Sequence, residues 1–230
     1  MDIPSAAKER LLHILRILET SSGKAFTSPE LEVLTGWSSH TIRKDISYLA
    51  AGFAADESGV FGTSAGYNPE KLIPAIKQGL GLGRRRKFCV VGLGRLGSAF
   101  LNMDWNADGT AGFEGGEFGR GEFELAAGFD INVNRVEILK SPVPLYPSFK
   151  MAEVIGRLGI EIALLCVPET AARAAAEKLA AAGIRGIVNF APAALALPPA
   201  VTVRNVYVID QLRALAVKMP CGGTRNGELS

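Results

Sequence analysis

Residues 92–97 read Gly92-Leu93-Gly94-Arg95-Leu96-Gly97, with the apolar run Phe88-Cys89-Val90-Val91 directly before them and helical spacing from Arg95 to Asn102 directly after. A G-x-G-x-x-G alone says little, but one that joins a strand to a helix meets a geometric demand. Gly92 permits a tight turn, Gly94 lets the backbone come close to a bound pyrophosphate, and Gly97 lets the helix pack tightly on the strand. Free N–H groups and the dipole at the helix start favour an anion there. The six residues together read as a dinucleotide cradle, which confines this part of the chain to a β-α-β fold of the Rossmann kind.

The second demand of such a site is an acid at the end of the next strand, about 20 residues on, to receive the adenosine ribose hydroxyls. Asp130 closes the apolar run Phe123–Phe129 but stands 38 positions after Gly92. The excess has a visible source. Residues 106–121 hold six glycines and almost no periodic apolar pattern, so they read as an inserted surface loop. Without that loop the spacing returns to the expected range. Asp130 points to NAD(H) rather than its 2′-phosphorylated form, and nearby Arg135 argues the other way. Further strands are expected over 161–167, 186–190 and 202–209, with an alanine-rich helix over 170–182. Continuous apolar strands alternating with helices imply a doubly wound parallel sheet, an α/β domain covered on both faces. Val167 and Pro168, and Asn189, Phe190 and Ala191, follow strands at the carboxyl edge where such sheets bind ligands. They are the expected lining of a nicotinamide pocket. The competing reading is a Rossmann domain that holds no nucleotide.

Before residue 80 the rhythm is helical. Leu11, Leu12, Ile14, Leu15, Ile17 and Leu18 form one apolar stripe. Ser28-Pro29-Glu30 has the composition of a helix start, and that helix stops at Gly36. Ser38 or Ser39 can cap the next helix, which continues to Leu49. A short helix, a glycine-containing turn and a second capped helix form a helix-turn-helix, and the glycine-punctuated stretch after it fits a small β wing. Ile42, Ile46 and Leu49 mark the buried side of the second helix. Ser39, His40, Arg43, Lys44, Ser47 and Tyr48 are the candidate DNA contacts, since a groove-reading helix presents donors and cations. The competing reading is a helical bundle whose Arg-Lys pair is a solvated face. Between the halves, Arg84-Arg85-Arg86-Lys87 is either a solvated linker or a further phosphate contact.

Several classes are disfavoured. The net charge of +2 says nothing about partners, and no apolar run approaches the roughly 18 residues that cross a bilayer. The N-terminus lacks the pattern of a secretory signal. Three cysteines without a Cys-x-x-Cys pair fit a reducing cytoplasm and disfavour a thiolate metal site, so no metal is expected. Hydride-transfer enzymes usually place an acid/base beside the nicotinamide, most often His. Both histidines, His13 and His40, lie in the helical half, and no Ser-Tyr-x-x-x-Lys is present. No catalytic residue is assigned, and a non-enzyme is expected; an oxidoreductase would have to work through Lys150, Glu153 or Glu169.

With a winged helix ahead of an NAD-type Rossmann domain, the sequence resembles the Rex family of redox-sensing transcriptional repressors, to about Met219. The resemblance rests on Ile3-Pro4 with Leu15-Arg16-Ile17-Leu18, Thr41-Ile42-Arg43-Lys44-Asp45-Ile46-Ser47-Tyr48, Gly66-Tyr67-Asn68, the residues 91–97, Phe129-Asp130 and the run 182–192. It implies a repressor that NADH releases from palindromic operator DNA and that NAD⁺ permits to bind. It also implies a homodimer exchanging a C-terminal helix of about Asp210–Lys218. The expected organisation is a winged-helix DNA-binding domain over 1–80, a basic linker over 81–87, a Rossmann NAD(H)-binding domain over 88–208, a dimerisation helix over 209–219 and a flexible tail over 220–230.

Three departures from the family pattern stand out. The wing, residues 50–66, has no Lys or Arg and carries Asp56 and Glu57. Met103 and Tyr207 occupy positions where the family often has Tyr and Asp, which join a switch with the Arg matched here by Arg16. Alternatives are therefore a Rex-like nucleotide-binding protein that has lost operator binding, an NAD-dependent oxidoreductase, or coenzyme A as the adenine nucleotide.

Overall fold

The computed structural model describes residues 3–21, 23–50, 62–63, 66–103, 105 and 122–219. Most of the expected wing, the glycine-rich insertion and the tail 220–230 lie outside the described residues. The chain divides into two compact units, one holding the described residues of 1–87 and 103–125, the other those of 88–102 and 126–230.

In the first unit the apolar stripe becomes the buried face of α1 (Ser5–Thr20), where Ala7, Leu11, Ile14, Leu15 and Leu18 meet the core; Leu12 stays exposed. Helix α2 (Ser28–Thr35) is capped one residue earlier than the sequence suggests. The Thr27 side chain accepts from the Glu30 N–H, and Glu30 reaches back to the Thr27 N–H at 2.8 Å, a reciprocal capping box. Gly36 ends α2 at φ +75°, a left-handed turn that glycine adopts without steric cost. Helix α3 (Ser39–Ala50) follows, with the Ser38 hydroxyl accepting from the Thr41 N–H at 3.2 Å.

The hairpin β1 (Gly62–Thr63) and β2 (Gly66–Tyr67) is antiparallel, and Tyr67 also bridges to Phe26. A Cβ at Gly66 would sit 2.8 Å from the Phe26 backbone, so this crossing needs glycine. Helix α4 (Pro69–Gly79), capped by Asn68, is absent from the sequence reading because Pro74 interrupts its pattern. It returns Leu72, Ala75 and Ile76 to the core made by α1 and α3. This is a winged helix.

The second unit contains the carboxyl ends of β3 (Arg86–Val91) and β4 (Phe123–Asp130). They belong to a six-stranded sheet with β5 (Leu145–Pro147), β6 (Ile162–Leu165), β7 (Gly186–Asn189) and β8 (Thr202–Asn205). The order β5-β4-β3-β6-β7-β8 is the doubly wound dinucleotide-binding topology, and β3–β6, β4–β5, β6–β7 and β7–β8 pair in parallel. Helices α5 (Arg95–Leu101), α6 (Val133–Ile138), α7 (Met151–Leu158) and α8 (Glu169–Ala181) connect the strands. Strand β8 stops at Asn205, short of the expected Ile209, because Val208 already begins α9 (Val208–Lys218). Among the described residues no helix is long and apolar enough to cross a membrane.

One polar contact orders the first unit. Arg10 on α1 forks onto Asp45 on α3 at 2.6 and 2.9 Å, and the Asp45 side chain is only 2% exposed. Removing the guanidinium strands a buried charge, which costs far more than the pair itself contributes. Arg10→Ala is expected to lose about 3 kcal/mol in urea unfolding, with Arg10→Met/Asp45→Leu recovering most of it. Equal stability of Arg10→Ala and the native chain would refute this.

Candidate functional site

The sheet order reverses between β3 and β6, and the loops leaving these two strands meet there. Cys166 N–H donates to the Val91 carbonyl at 2.8 Å, and Gly92 N–H donates to the Phe129 carbonyl at 2.8 Å. Gly92 has φ +90°, and a Cβ on it would stand 2.6 Å from the Cys166 carbonyl oxygen. A Cβ on Gly97 would lie 1.9 Å from the Gly92 carbonyl oxygen. The chain's own packing therefore requires both outer glycines. Gly94 differs, since a Cβ there would meet nothing within 4 Å. Its missing side chain leaves open space at the N-cap of α5, as a pyrophosphate approaching the backbone requires. Leu93 is buried, whereas Arg95 and Leu96 are exposed on α5.

Asp130 lies at the carboxyl end of β4 and is 3% exposed. Its Oδ2 accepts from the Leu93 N–H at 2.7 Å and from Arg135 Nη1 at 2.9 Å; Oδ1 accepts from the Asn132 N–H at 2.7 Å. Burial by itself pushes this carboxyl up. The N–H groups of Asn132 and Leu93 and the Arg135 guanidinium outweigh it and hold Asp130 below the usual carboxylate range.

A cavity of about 540 Å³ opens over these groups, lined by Gly92, Gly94, Asp130 and Arg135 on one side and by Val167, Pro168 and α8 on the other. Ser148 and Met151 also line it. The sequence reading missed them because β5, three residues that follow Pro144 and end on Pro147, is too short to show a pattern. Cys166 lines the cavity as well, but burial pushes its thiol up to about 12. Burial also raises the Cys89 thiol, which favours the protonated form of both.

Asn189, Phe190 and Ala191 do not line this cavity. Asn189 is fully buried and acts structurally: its Nδ2 donates to the Ala193 carbonyl and to Asn205 Oδ1, both at 2.9 Å, and its Oδ1 accepts from the Ala191 N–H at 3.0 Å. Phe190 packs on Phe100 with ring centroids 5.0 Å apart. Tyr207, the N-cap of α9, donates its hydroxyl to the same Ala193 carbonyl at 2.9 Å. Among the described residues no His, Cys, Asp and Glu side chains group as a metal site.

On α3, His40, Arg43, Lys44 and Ser47 are exposed, while Ser39 and Tyr48 are half-buried. Ser39 is engaged inside the unit, its N–H and hydroxyl donating to Glu32 on α2. Arg43 Nε donates to the Ser39 carbonyl at 3.1 Å, and Tyr48 packs on the core. The cationic positions thus form one face of a helix whose opposite side is anchored by Ile42, Asp45, Ile46 and Leu49. Arg16 is exposed on α1, and Met103 is half-buried just after α5.

Residues 84–193 match the family described as CoA binding domain. Over 222 residues, 94% of this chain and 93% of the relative, the sequence is 38% identical to the redox-sensing transcriptional repressor Rex of Thermus thermophilus. This chain belongs to the Rex family. The Rex of Levilactobacillus brevis is 30% identical over 216 residues, 93% of this chain and 92% of that one. Among solved structures, the Rex-family repressor RSP in complex with β-NAD⁺ and operator DNA aligns with a TM-score of 0.73 at 28% identity, over 94% of this chain and 92% of RSP. RSP in complex with β-NADH aligns at 0.70 and 27% identity, over 94% and 93%. The Rex-family alignment thus runs through both units.

The glycine contacts separate fold from binding. Gly92→Ala and Gly97→Ala are expected to lower the melting temperature by several degrees or prevent folding, because backbone must move. Gly94→Ala is expected to melt within about a degree of the native protein, and thermal scans of all three check this. Asp130 yields a pH prediction. Its carboxyl is lower in the folded state, so its stabilisation is present above the unfolded value of about 3.9 and fades as pH falls through the folded one. Asp130→Asn should flatten the loss of stability between about pH 5 and pH 2, and an unchanged acid limb would refute this role.

Proposed function

We propose that this Rex-family chain is a DNA-binding transcriptional repressor that senses the NADH/NAD⁺ balance and is released from palindromic operator DNA by NADH. The observation that carries the reading is the pairing of two devices in one chain. One is a glycine turn at the sheet's switch point with open space at Gly94 and an ionised acid behind it. The other is a capped recognition helix whose cations face outward. RSP, the aligned Rex-family repressor, has been solved with β-NAD⁺ and operator DNA and with β-NADH.

The chain's residues divide the work. Gly92 and Gly97 hold the turn, Gly94 admits the pyrophosphate, and Asp130 receives ribose through the Oδ1 lone pair that Asn132 leaves open. Val167 and Pro168 flank the ligand from β6. NAD(H) supplies the redox-dependent difference that the protein reads, and no reaction is catalysed on it. Arg43 and Lys44 attract DNA phosphates and base edges, with His40 and Ser47 as further donors.

Dimerisation through α9 fits the same reading. Val208, Ile209, Leu212, Leu215 and Val217 on this helix are all more than half exposed, and α9 buries no residue within the chain. An apolar helix of this kind is stabilised by a partner. Tyr207 joins the root of α9 to the Asn189–Ala193 loop through Ala193. This gives Tyr207 a part in transmitting the ligand state, where the family pattern has an acid. Release by NADH then requires only that NADH bind the DNA-incompetent arrangement more tightly than the competent one. The wing favours one other reading, a nucleotide-binding protein without operator affinity, since residues 50–66 contain Asp56 and Glu57 and no Lys or Arg.

The decisive test is mutual. NADH affinity is measured with and without a palindromic operator, and operator affinity with and without NADH. The two shifts must be equal, and NADH must weaken DNA binding by about fivefold or more. Arg43→Ala and Lys44→Ala should each reduce the salt-dependence slope of DNA binding by about one. Binding of NADH without any operator affinity would establish the second reading instead.

A further inference from the structure

The two strands that carry the glycine turn and Asp130 both start among residues of the first unit. Strand β3 runs from Arg86 to the turn and β4 from Phe123 to Asp130, and the first residues of each belong with α1–α4. The Arg86 N–H donates to the Glu122 carbonyl at 2.8 Å, which ties the two strands together at that end.

At the same point Lys77, in the last turn of α4, gathers two carboxylates. Its Nζ lies 2.7 Å from Glu19 Oε1 on α1 and 2.9 Å from Glu122 Oε1, and the Glu19 and Glu122 side chains are 3% and 10% exposed. Burial by itself pulls the Lys77 ammonium down. The two carboxylates outweigh it and hold Lys77 above its usual value, so the cation is kept.

Stability alone does not call for this arrangement. Glu19 stands at the carboxyl end of α1, where the helix dipole disfavours an acid. Burying an ammonium and two carboxylates also carries a desolvation cost that well-packed apolar side chains would avoid. What the cluster provides is a contact with two settings. Lys77 stays paired with Glu19 whether or not Glu122 is engaged, so Glu122 can leave for water without isolating the cation.

Helix α4 carries the contact on to α3. A Cβ on Gly79, two residues after Lys77, would stand 2.7 Å from Leu49 Cδ2, and Leu49 is on the buried side that holds α3. A continuous route therefore runs from Asp130 along β4 to Glu122, across to Lys77, and through the end of α4 to Leu49.

We infer that Lys77 and Glu122 form the joint through which nucleotide occupancy reaches the recognition helix, with Glu122 as the member that engages or releases. The inference rests on the sensing function proposed above. Lys77 and Glu122 are not in the lining of the nucleotide cavity and do not lie on α3, so they are positioning residues. Their role is defined by the coupling between the two ligands and not by either affinity alone.

The test measures, on the full-length protein, the factor by which NADH weakens operator binding, with NADH read by fluorescence and DNA by anisotropy. Glu122→Gln keeps the shape, removes the charge and leaves Lys77 paired with Glu19. This variant should bind NADH alone and operator alone within about threefold of the native values, while the coupling factor shrinks by about threefold or more. Glu122→Ala, which opens the position to water, should do the same and serves if the glutamine is not tolerated. Glu177→Gln on α8 removes an exposed carboxylate paired with Arg173 and should leave the coupling intact. A smaller change in coupling in the Glu122 variants overturns the inference and leaves the sensing reading standing. It is also overturned if neither variant folds, or if either separate affinity falls as much as the coupling, since Glu122 would then only support the fold. An equal drop in Glu177→Gln overturns it as well. Native protein in which NADH and operator ignore each other removes the sensing reading and the joint with it.

Discussion

A methyl group on Gly97 would overlap the carbonyl oxygen of Gly92, and one on Gly92 would overlap the carbonyl of Cys166. These two contacts set how closely α5 approaches β3 and how closely the loops after β3 and β6 approach each other. Everything at the carboxyl edge follows from them. The Leu93 N–H can donate to Asp130 only because the turn is this tight, and the cavity exists because Gly94 then projects nothing into it. A ligand arriving there meets backbone amides already oriented, so little ordering remains to oppose binding.

The first unit solves a different problem. A helix that is to meet a nucleic acid must keep its polar face free while the rest of it is immobilised. Helix α3 is held by Ile42, Ile46 and Leu49 and by the Arg10 fork on Asp45, whose charge is satisfied inside the unit. Its N-terminal end is tied to α2 by Glu32 accepting from Ser39. His40, Arg43, Lys44 and Ser47 are left facing outward. Asp45 sits in the middle of the motif that carries the family resemblance, yet its work is structural.

Much of this was legible beforehand. The glycine triplet between an apolar strand and a helix announced the cradle, and the acid after Phe123–Phe129 was traceable across the inserted loop by subtracting it. Both follow from local chemistry: turn geometry needs glycine, and buried parallel strands need continuous apolar runs. The helix-turn-helix was legible for the same reason, through caps and a left-handed glycine. Strand β5 was not, because three residues, the last of them a proline, carry no period, and with it went Ser148 and Met151. Helix α4 was hidden by Pro74.

Partners across long separations in the chain were out of reach of pattern reading. Nothing in the spacing of Asn189 indicates that its amide would be consumed by Ala193 and Asn205, or that Tyr207 would share the Ala193 carbonyl. Nor does position 45 announce a partner at position 10. The sequence by itself determined the two fold types, the glycine turn between β3 and α5, the acid at position 130 and the cationic helix face, because each arises from neighbouring residues and their periodicity. Only the tertiary structure decided which polar groups are free to meet a ligand and which are already satisfied within the chain. Hydrogen-bond capacity is finite, and its allocation depends on which distant residues the fold brings together.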